Sequence, residues 1–391
     1  MRERILFVDD EQLLLGSYEL YLSDKYNVVT VTSAKKALDL LVNDSNFAVV
    51  ISDFNMSGMN GVEFLNIVKG LYPNIIRILM TAVNDVKVVL DAVNESNIFR
   101  FLVKDEDLGK LDHAIEDAIS LKNILRREKT LQDELKLAYD RLEQDLKSAA
   151  KLQQSIQPKP MSFSGYSFNS LYLPSKFLSG DNFNYFQVDD WIVFYVLDVT
   201  GHGIPASMLS FAISRMINSD KIPVNPVLNN LDGKYTARSP GEVLQELNKI
   251  FMTKDQDTQF FSLSYGVIYL NDYKFLISNA ANRQPILIRN EEIEVFNLKG
   301  LPLGFMPESK YSEVEHDIKK GDKIILYSDG VIELNNPDGE MFGENRFYEF
   351  LRNNSKQDSS TLLNSLKSEI NSWSGIDDYN DDITVLCIEK N

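Results

Sequence analysis

Between Gly109 and Pro158 the chain contains neither glycine nor proline. Those two residues are the strongest breakers of a helix, and the stretch between them is dominated by good helix formers. A continuous helix is the reading that satisfies every residue in it. Leu121, Glu128, Leu135, Leu142, Ala149 and Ile156 recur at one heptad position, and Ile124, Leu131, Ala138, Asp145 and Leu152 at the other. Most are apolar, as a coiled-coil seam requires. Glu128 and Asp145 interrupt it, so the coil is expected to be imperfect and only marginally stable. Arg126, Arg127, Lys129, Glu134 and Lys136 suit its flanks. One long helix packed on its own domain would also fit; the length of the seam favours a parallel homodimer, joined through residues 120–150. Whatever folds on either side is a separate body, and 391 residues allow two or three domains.

Residues 5–119 alternate short apolar strands with amphipathic helices. The strands fall at 5–8, 28–31, 47–52, 75–80 and 99–103. This is the pattern of an α/β doubly wound, five-stranded parallel sheet. Ligands of such sheets bind beyond the carboxyl ends of the strands. Asp9 and Asp10 follow the first strand, Asp53 the third and Thr81 the fourth, and Lys104 ends the fifth. A lone acid at a strand end is usually a cap. Three at one edge suit a hard divalent cation.

From Lys151 onward the periodicity changes to strands with isolated helices. Residues 191–197 form an unbroken apolar run, Trp-Ile-Val-Phe-Tyr-Val-Leu, ending in Asp198 and a glycine-containing turn. An acid at the end of a buried strand must be paired, protonated or bound to a cation. Similar acids recur: Ser179-Gly-Asp181, Tyr327-Ser-Asp329-Gly330, and Asp381-Asp382 at the start of a final strand. Carboxylates that converge cannot all ionise without a compensating cation. Oxygen donors favour Mg²⁺ or Mn²⁺ over zinc, and three histidines, with only His202 near a motif, rule out a histidine-rich zinc site. Residues 220–238, with two prolines, a glycine and several asparagines, read as an exposed loop able to act as a flap. Ser239-Pro-Gly-Glu242 reads as a capping box opening a helix.

Composition narrows the partners. A net charge of −17 argues against general nucleic-acid binding and against anionic membranes. No apolar run approaches the roughly 20 residues of a membrane span. The start, Met1-Arg-Glu-Arg-Ile, lacks a signal-peptide pattern, and the single cysteine, Cys387, lies in an apolar strand run. A cytoplasmic protein is expected.

Residues 1–119 resemble the receiver domain of two-component response regulators, through Asp9, Asp10, Asp53, Thr81 and Lys104 in this order. The resemblance implies that Asp53 accepts a phosphoryl group from a sensor histidine kinase. It implies Mg²⁺ held by Asp9, Asp10, Asp53 and the carbonyl of Asn55, with Thr81, Lys104 and the aromatic Phe101 as the switch. Ser57 and Asp105 stand where the family usually has proline. Without that proline, the Lys104–Asp105 bond is expected to be trans.

Residues 151–391 resemble the metal-dependent protein phosphatase (PPM) family in its stage II sporulation protein E-type branch. The matching pieces are Leu152-Gln-Gln-Ser-Ile-Gln157-Pro, Ser179-Gly-Asp181, Asp198-Val-Thr-Gly-His-Gly203, Phe260-Phe-Ser-Leu-Ser-Tyr-Gly266, Asn279-Ala-Ala-Asn-Arg-Gln-Pro285, Gly300-Leu-Pro-Leu-Gly304, Tyr327-Ser-Asp329-Gly330 and Asp381-Asp382-Ile-Thr384. The implied fold is an α+β sandwich of two antiparallel sheets flanked by helices. Two Mn²⁺ or Mg²⁺ ions would lie between the sheets, bridged by Asp198 with the Val199 carbonyl on one of them. Asp181, Asp329 and Asp381 would supply the remaining charge, with Asp382 behind them or as an alternative ligand. His202 would either protonate the departing serine oxygen or hydrogen-bond within its turn. Asn182, Asn184, Ala281 and Asn282 depart from the usual residues. The implied substrate is a phosphoserine protein, by family analogy a phosphorylated STAS-type anti-sigma factor antagonist in a partner-switching pathway. A non-catalytic pseudo-phosphatase adaptor, binding a sigma factor or its regulator, would share this architecture. Retention of Asp181, Asp198, Asp329 and Asp381 favours the enzyme.

Overall fold

A computed structural model describes residues 2–82, 98–104, 107–201, 203–220, 225–231, 234–252, 260–375 and 379–391. The chain divides into two compact units, Met1–Arg141 and Leu142–Asn391.

The first unit runs β1 (Arg4–Val8), α1 (Gln12–Leu22), β2 (Asn27–Val31), α2 (Ala34–Asn43), β3 (Val49–Asp53), α3 (Gly61–Leu71), β4 (Ile76–Thr81) and β5 (Arg100–Val103). The strands form one parallel sheet in the order β2-β1-β3-β4-β5. Ile5, Phe7 and Ile51 are buried on one face, and Leu6, Val8 and Val50 on the other. Burial on both faces is why these strands are apolar without alternation. The Ser33 and Asn60 side chains cap α2 and α3 by accepting backbone N–H bonds. The helix expected after the fourth strand falls on residues 83–97, outside the described residues.

Helix α4 (Leu108–Ile156) is continuous over 49 residues, as the absence of breakers requires. Leu111, Ala114, Ile115 and Ala118 on its first turns pack into one face of the parallel sheet. Beyond them the apolar stripe is exposed, with Leu135 at 72% and Leu152 at 66%. Among the described residues no helix is long and apolar enough to cross a membrane.

The second unit contains β6 (Met161–Phe163), β7 (Tyr166–Leu173), β8 (Asn182–Val188), β9 (Trp191–Val199) and α5 (Ile204–Met216). Then come β10 (Leu228–Leu231), β11 (Lys234–Ala237), α6 (Pro240–Phe251), β12 (Phe261–Tyr269), β13 (Lys274–Ala280), β14 (Ile286–Arg289) and β15 (Glu292–Val295). The chain closes with β16 (Glu313–Asp317), β17 (Lys323–Tyr327), α7 (Gly343–Asn353), α8 (Ser359–Ser374) and β18 (Ile383–Lys390). Two large antiparallel sheets, ordered β16-β13-β12-β9-β8 and β15-β14-β17-β18-β7-β6, form the sandwich, and β10 pairs with β11 in a separate two-stranded sheet.

Residue parity assigns the layers. On β9, Ile192, Phe194 and Val196 enter the core shared by the two sheets, with Leu326 of β17 and Leu386 of β18. The alternate residues Val193, Tyr195 and Leu197 join Ile213 of α5 and Leu244 of α6. On β18, Val385 and Cys387 instead meet Phe347 of α7 and Leu366 of α8. Helices thus cover both outer faces, and each central strand is buried on both sides.

The capping box is present: Ser239 accepts from Glu242 N–H, and the Glu242 carboxylate accepts from Ser239 N–H. The exposed loop expected at 220–238 is corrected. Residues 228–231 pair with 234–237, and Val227 and Leu228 are buried in the core. Asn225, itself buried, donates to the Asp220 carbonyl and accepts from Val227 N–H, which satisfies its polar groups where the chain enters the core.

Candidate functional site

In the first unit the parallel topology brings every strand's carboxyl end to one edge. Asp53 closes β3 opposite Met80, and Thr81 closes β4 opposite Val103. Oxygens of Asp9, Asp10 and Asp53 lie within 4.8 Å of one another, close enough to share a metal ion. Lys104 Nζ stands 2.8 Å from Asp9 Oδ2 and 3.1 Å from Asp53 Oδ1. Burial pushes the Asp53 carboxyl up to about 6, and Lys104 pulls against that rise. Thr81 is fully buried, Phe101 is half-buried and Asn55 is exposed just beyond β3. Ser57 donates both its N–H (3.2 Å) and its hydroxyl (3.1 Å) to Asp10 Oδ2. A proline there could do neither. Asp105 lies outside the described residues.

In the second unit the acids come from two sheets. Asn182 pairs with Leu197, so Asp181 and Asp198 flank the same end of the β8–β9 ladder. Tyr327 pairs with Val385, so Asp329 and Asp381 extend the corresponding end of β17 and β18. That junction is tight. A Cβ on Gly330 would fall 2.1 Å from the Asp382 carbonyl oxygen, so only glycine fits. The Ser328 hydroxyl donates to the Asp382 carbonyl, and Thr384 N–H donates back to Ser328 Oγ.

The charges of these acids act on one another. Burial, then Asp329, Asp381 and Asp382, pushes Asp198 up to about 7. Burial and then Asp198 raise Asp181 well above the carboxylate range. Burial first and Asp329 next also raise Asp381. Asp181 Oδ2 is buried and has no hydrogen-bond partner. An orphaned carboxylate oxygen among mutually repelling acids fits a cation site. Among the described residues, no three of these acids approach as closely as the first unit's triad does. A two-ion site spreads its ligands over the roughly 3.5–4 Å between the ions. His202 lies outside the described residues, whereas Val199, the last residue of β9, is buried.

Asp382 is engaged differently. Its Oδ1 accepts from Ser175 N–H (2.8 Å) and Ser175 Oγ (3.0 Å), and its Oδ2 from Gly180 N–H (2.8 Å). Both oxygens therefore hold the loop that presents Asp181. The same loop is gripped from α4. Gln153 Nε2 donates to the Ser179 carbonyl (2.8 Å), and Ser179 N–H donates to Gln153 Oε1 (3.1 Å).

A cavity of about 350 Å³ opens over this end, bordered by Asp198, Thr200, Ser262, Asn282, Arg283 and Asp329. Its wall at 279–283 is an asparagine-built turn. Asn282 N–H donates to Asn279 Oδ1, and Asn282 Nδ2 donates to the Val196 carbonyl. Ala281 adopts φ +56°, a conformation glycine takes freely and alanine takes at about 1–2 kcal/mol. The two asparagines hold it there.

A family model for stage II sporulation protein E matches residues 189–391, more than half of the chain. The chain belongs to the stage II sporulation protein E family. A model for the response regulator receiver domain matches residues 5–116. Protein IcfG of Synechocystis sp. is 26% identical over 306 residues, covering 74% of this chain and 47% of that protein. Phosphoserine phosphatase RsbU of Bacillus subtilis is 24% identical over 232 residues, covering 59% of this chain and 64% of that protein. The chain spans less than two thirds of either relative's length. The solved SiaA-PP2C domain of Pseudomonas aeruginosa is similar in fold. Its TM-score is 0.54 at 20% identity, covering 65% of this chain and 99% of that domain.

Sequence reading passed over several residues that this member of the stage II sporulation protein E family places at its sites. Ser57 stood out only as a missing proline; its two bonds to Asp10 depend on how loops meet. Gln153 lies in the matching piece Leu152–Pro158, but nothing in that piece says that its side chain holds Ser179. Arg283 lies in the matching piece Asn279–Pro285 without a role assigned to it, and Ser175 carried no signal of its own.

Proposed function

We propose that this stage II sporulation protein E family member is a response regulator with a phosphatase output. Residues 1–119 form the receiver, 120–150 the connector and 151–391 the metal-dependent protein serine/threonine phosphatase. The observation that carries the reading is the delivery of Asp181, Asp198, Asp329 and Asp381 by two sheets to one end of the sandwich, where an Asp181 oxygen is buried without a partner. Asp181, Asp198, the Val199 carbonyl, Asp329 and Asp381 would hold two Mn²⁺ or Mg²⁺ ions. Such ions, when bound, lower the pKa of water and neutralise phosphoryl charge. Asp382 keeps the Asp181 loop in place through its three accepted bonds. Hydrolysis is a single displacement. A water oxygen bonds to phosphorus and gives up one proton to solvent, the bond from phosphorus to the serine oxygen breaks, and that oxygen takes up a proton in exchange, for which His202 is the candidate donor.

In the receiver, Asp9, Asp10, Asp53 and the Asn55 carbonyl would hold Mg²⁺ while a sensor histidine kinase phosphorylates Asp53. Thr81 and Lys104 would then follow the phosphoryl oxygens, with Phe101 repositioned behind them. Helix α4 carries the change, because Gln153 grips both backbone groups of Ser179, two residues before Asp181. The exposed seam at Ile124, Leu131, Leu135, Leu142 and Leu152 fits a second copy of the chain in a parallel coil. The proposed substrate is a phosphoserine on a STAS-type anti-sigma factor antagonist, by analogy within the family.

The test is Mn²⁺-dependent hydrolysis of p-nitrophenyl phosphate and of a phosphoserine protein by the full chain. Activity lost in Asp329→Asn is expected. Activity untouched by that change, or absent with every divalent metal, overturns the enzyme in favour of a binding adaptor.

A further inference from the structure

We propose that Arg283 is the residue that receives the substrate's phosphoryl group, with Glu333 holding its guanidinium in readiness. The inference rests on the phosphatase reading and names the recognition residue of that same site. A phosphomonoester dianion entering the cavity meets Asp198 and Asp329. Even with their charge neutralised by cations, the outward phosphoryl oxygens need donors from the protein. Among the described residues that border the cavity, Arg283 is the sole cation. Its planar fork of N–H groups matches two phosphoryl oxygens at once.

Its placement is built rather than incidental. Arg283 N–H donates to Asn282 Oδ1 (2.7 Å), on the turn that Asn279 and Asn282 lock to the Val196 carbonyl of β9. The side chain is 30% exposed, and Arg283 is among the residues that line the cavity. Nη2 stands 2.5 Å from Glu333 Oε1, and Nη1 stands 3.8 Å from Glu344 Oε1. Glu333 lies four residues beyond Asp329, and its charge is felt at Asp381. Both glutamates are exposed to solvent, at 46% and 52%. Pairs of this kind bind weakly and exchange readily for a dianion. Glu333 therefore keeps the fork near the cavity without locking it. A purely structural pair would join the same two loops but would leave phosphate binding alone.

Phosphate itself is the probe. Its binding to the Mn²⁺-loaded full chain is measured by calorimetry, alongside its inhibition constant, kcat and KM with p-nitrophenyl phosphate, Mn²⁺ affinity and Tm. In Arg283→Ala, phosphate affinity is expected to fall about tenfold or more. KM is expected to rise with it, while Mn²⁺ affinity and Tm stay unchanged. Arg283→Lys should recover part of the loss, because an ammonium supplies charge without the fork. Glu333→Gln should tighten phosphate binding, because the guanidinium is no longer shared. Phosphate affinity unchanged in Arg283→Ala, or lost only in step with Mn²⁺ affinity or Tm, overturns the proposal. A wild-type chain that binds phosphate through Arg283 but hydrolyses nothing would refute the enzyme and leave this site standing.

Discussion

The two acidic sites of this molecule solve one electrostatic problem in different ways. At the parallel sheet's edge, Asp9, Asp10 and Asp53 come together with Lys104 already among them, at 2.8 and 3.1 Å. That cluster carries its own counter-charge, so it can form before any ligand arrives. At the sandwich end, Asp181, Asp198 and Asp381 are all raised by burial and by neighbouring acids. Arg283, the cation bordering that cavity, pairs loosely with the exposed Glu333 and Glu344 rather than with these acids. Like charges near one another in a dry site stay ionised only if something positive is supplied. The first site thus holds its acids around a lysine that is already in contact with two of them. Among the described residues the second has no such cation in contact with its acids, so under the proposed reading its charge would be met by bound metal ions.

The strongest way to break this contrast is Asp198→Asn. If the second site lacks its own counter-charge, the change should cut Mn²⁺-dependent hydrolysis by more than the roughly 10- to 100-fold that residues behind metal ligands typically cost. The same change should stabilise the second unit in chelator, because a buried repelling charge is gone. Asp198 folds with its pKa raised to about 7 from an ordinary 3.8. Its ionised form therefore destabilises the fold above about 7, and the cost fades as pH falls toward 3.8. Calorimetric melts in chelator should show the gain at pH 8 and lose it on acidification. A variant less stable at pH 8 would mean that the site is neutralised internally after all.

A smaller effect is expected at the first site. Asp53→Asn should stabilise the chelated receiver by about 1–3 kcal/mol at pH 8. The Asp53 pKa of about 6 lies above its ordinary 3.8, so the gain should close between those two values as pH falls. The Lys104 contact limits it. Hydrogen exchange of β3 and β5 reads the receiver alone, and a gain larger than that of Asp198→Asn would reverse the comparison.

The smallest effect concerns the link from α4 to the second site. Gln153→Ala removes two hydrogen bonds to Ser179, each worth about 0.5–1.5 kcal/mol net. The ratio of turnover with and without beryllofluoride should shrink about two- to tenfold. In an Asp53→Ala background, which lacks the beryllofluoride acceptor, Gln153→Ala should not change that ratio further. An unchanged beryllofluoride response would place the coupling elsewhere.

Much of this was readable from residue order. The unbroken helix, the parallel sheet and the acids at strand ends follow from periodicity, because burying both faces of a strand forces an apolar run and the run must stop where a charge begins. Cys387 lies in the β18 core for the same reason. The loop expected at 220–238 was corrected because its described residues include a strand pair and the buried Asn225, Val227 and Leu228, with Asn225 bonded to the Asp220 carbonyl and Val227 N–H.

What the sequence by itself determined is therefore local: which segments are helix or strand, and that each acid ends a buried strand and needs compensation. Only the tertiary structure decided which groups compensate which. Whether Lys104 reaches Asp53, Ser57 reaches Asp10, Gln153 holds Ser179 or Arg283 reaches the cavity depends on strand order and loop closure. Hydrogen bonds and ion pairs act over about 3–4 Å, and residues tens of positions apart meet within that distance only once the chain has folded.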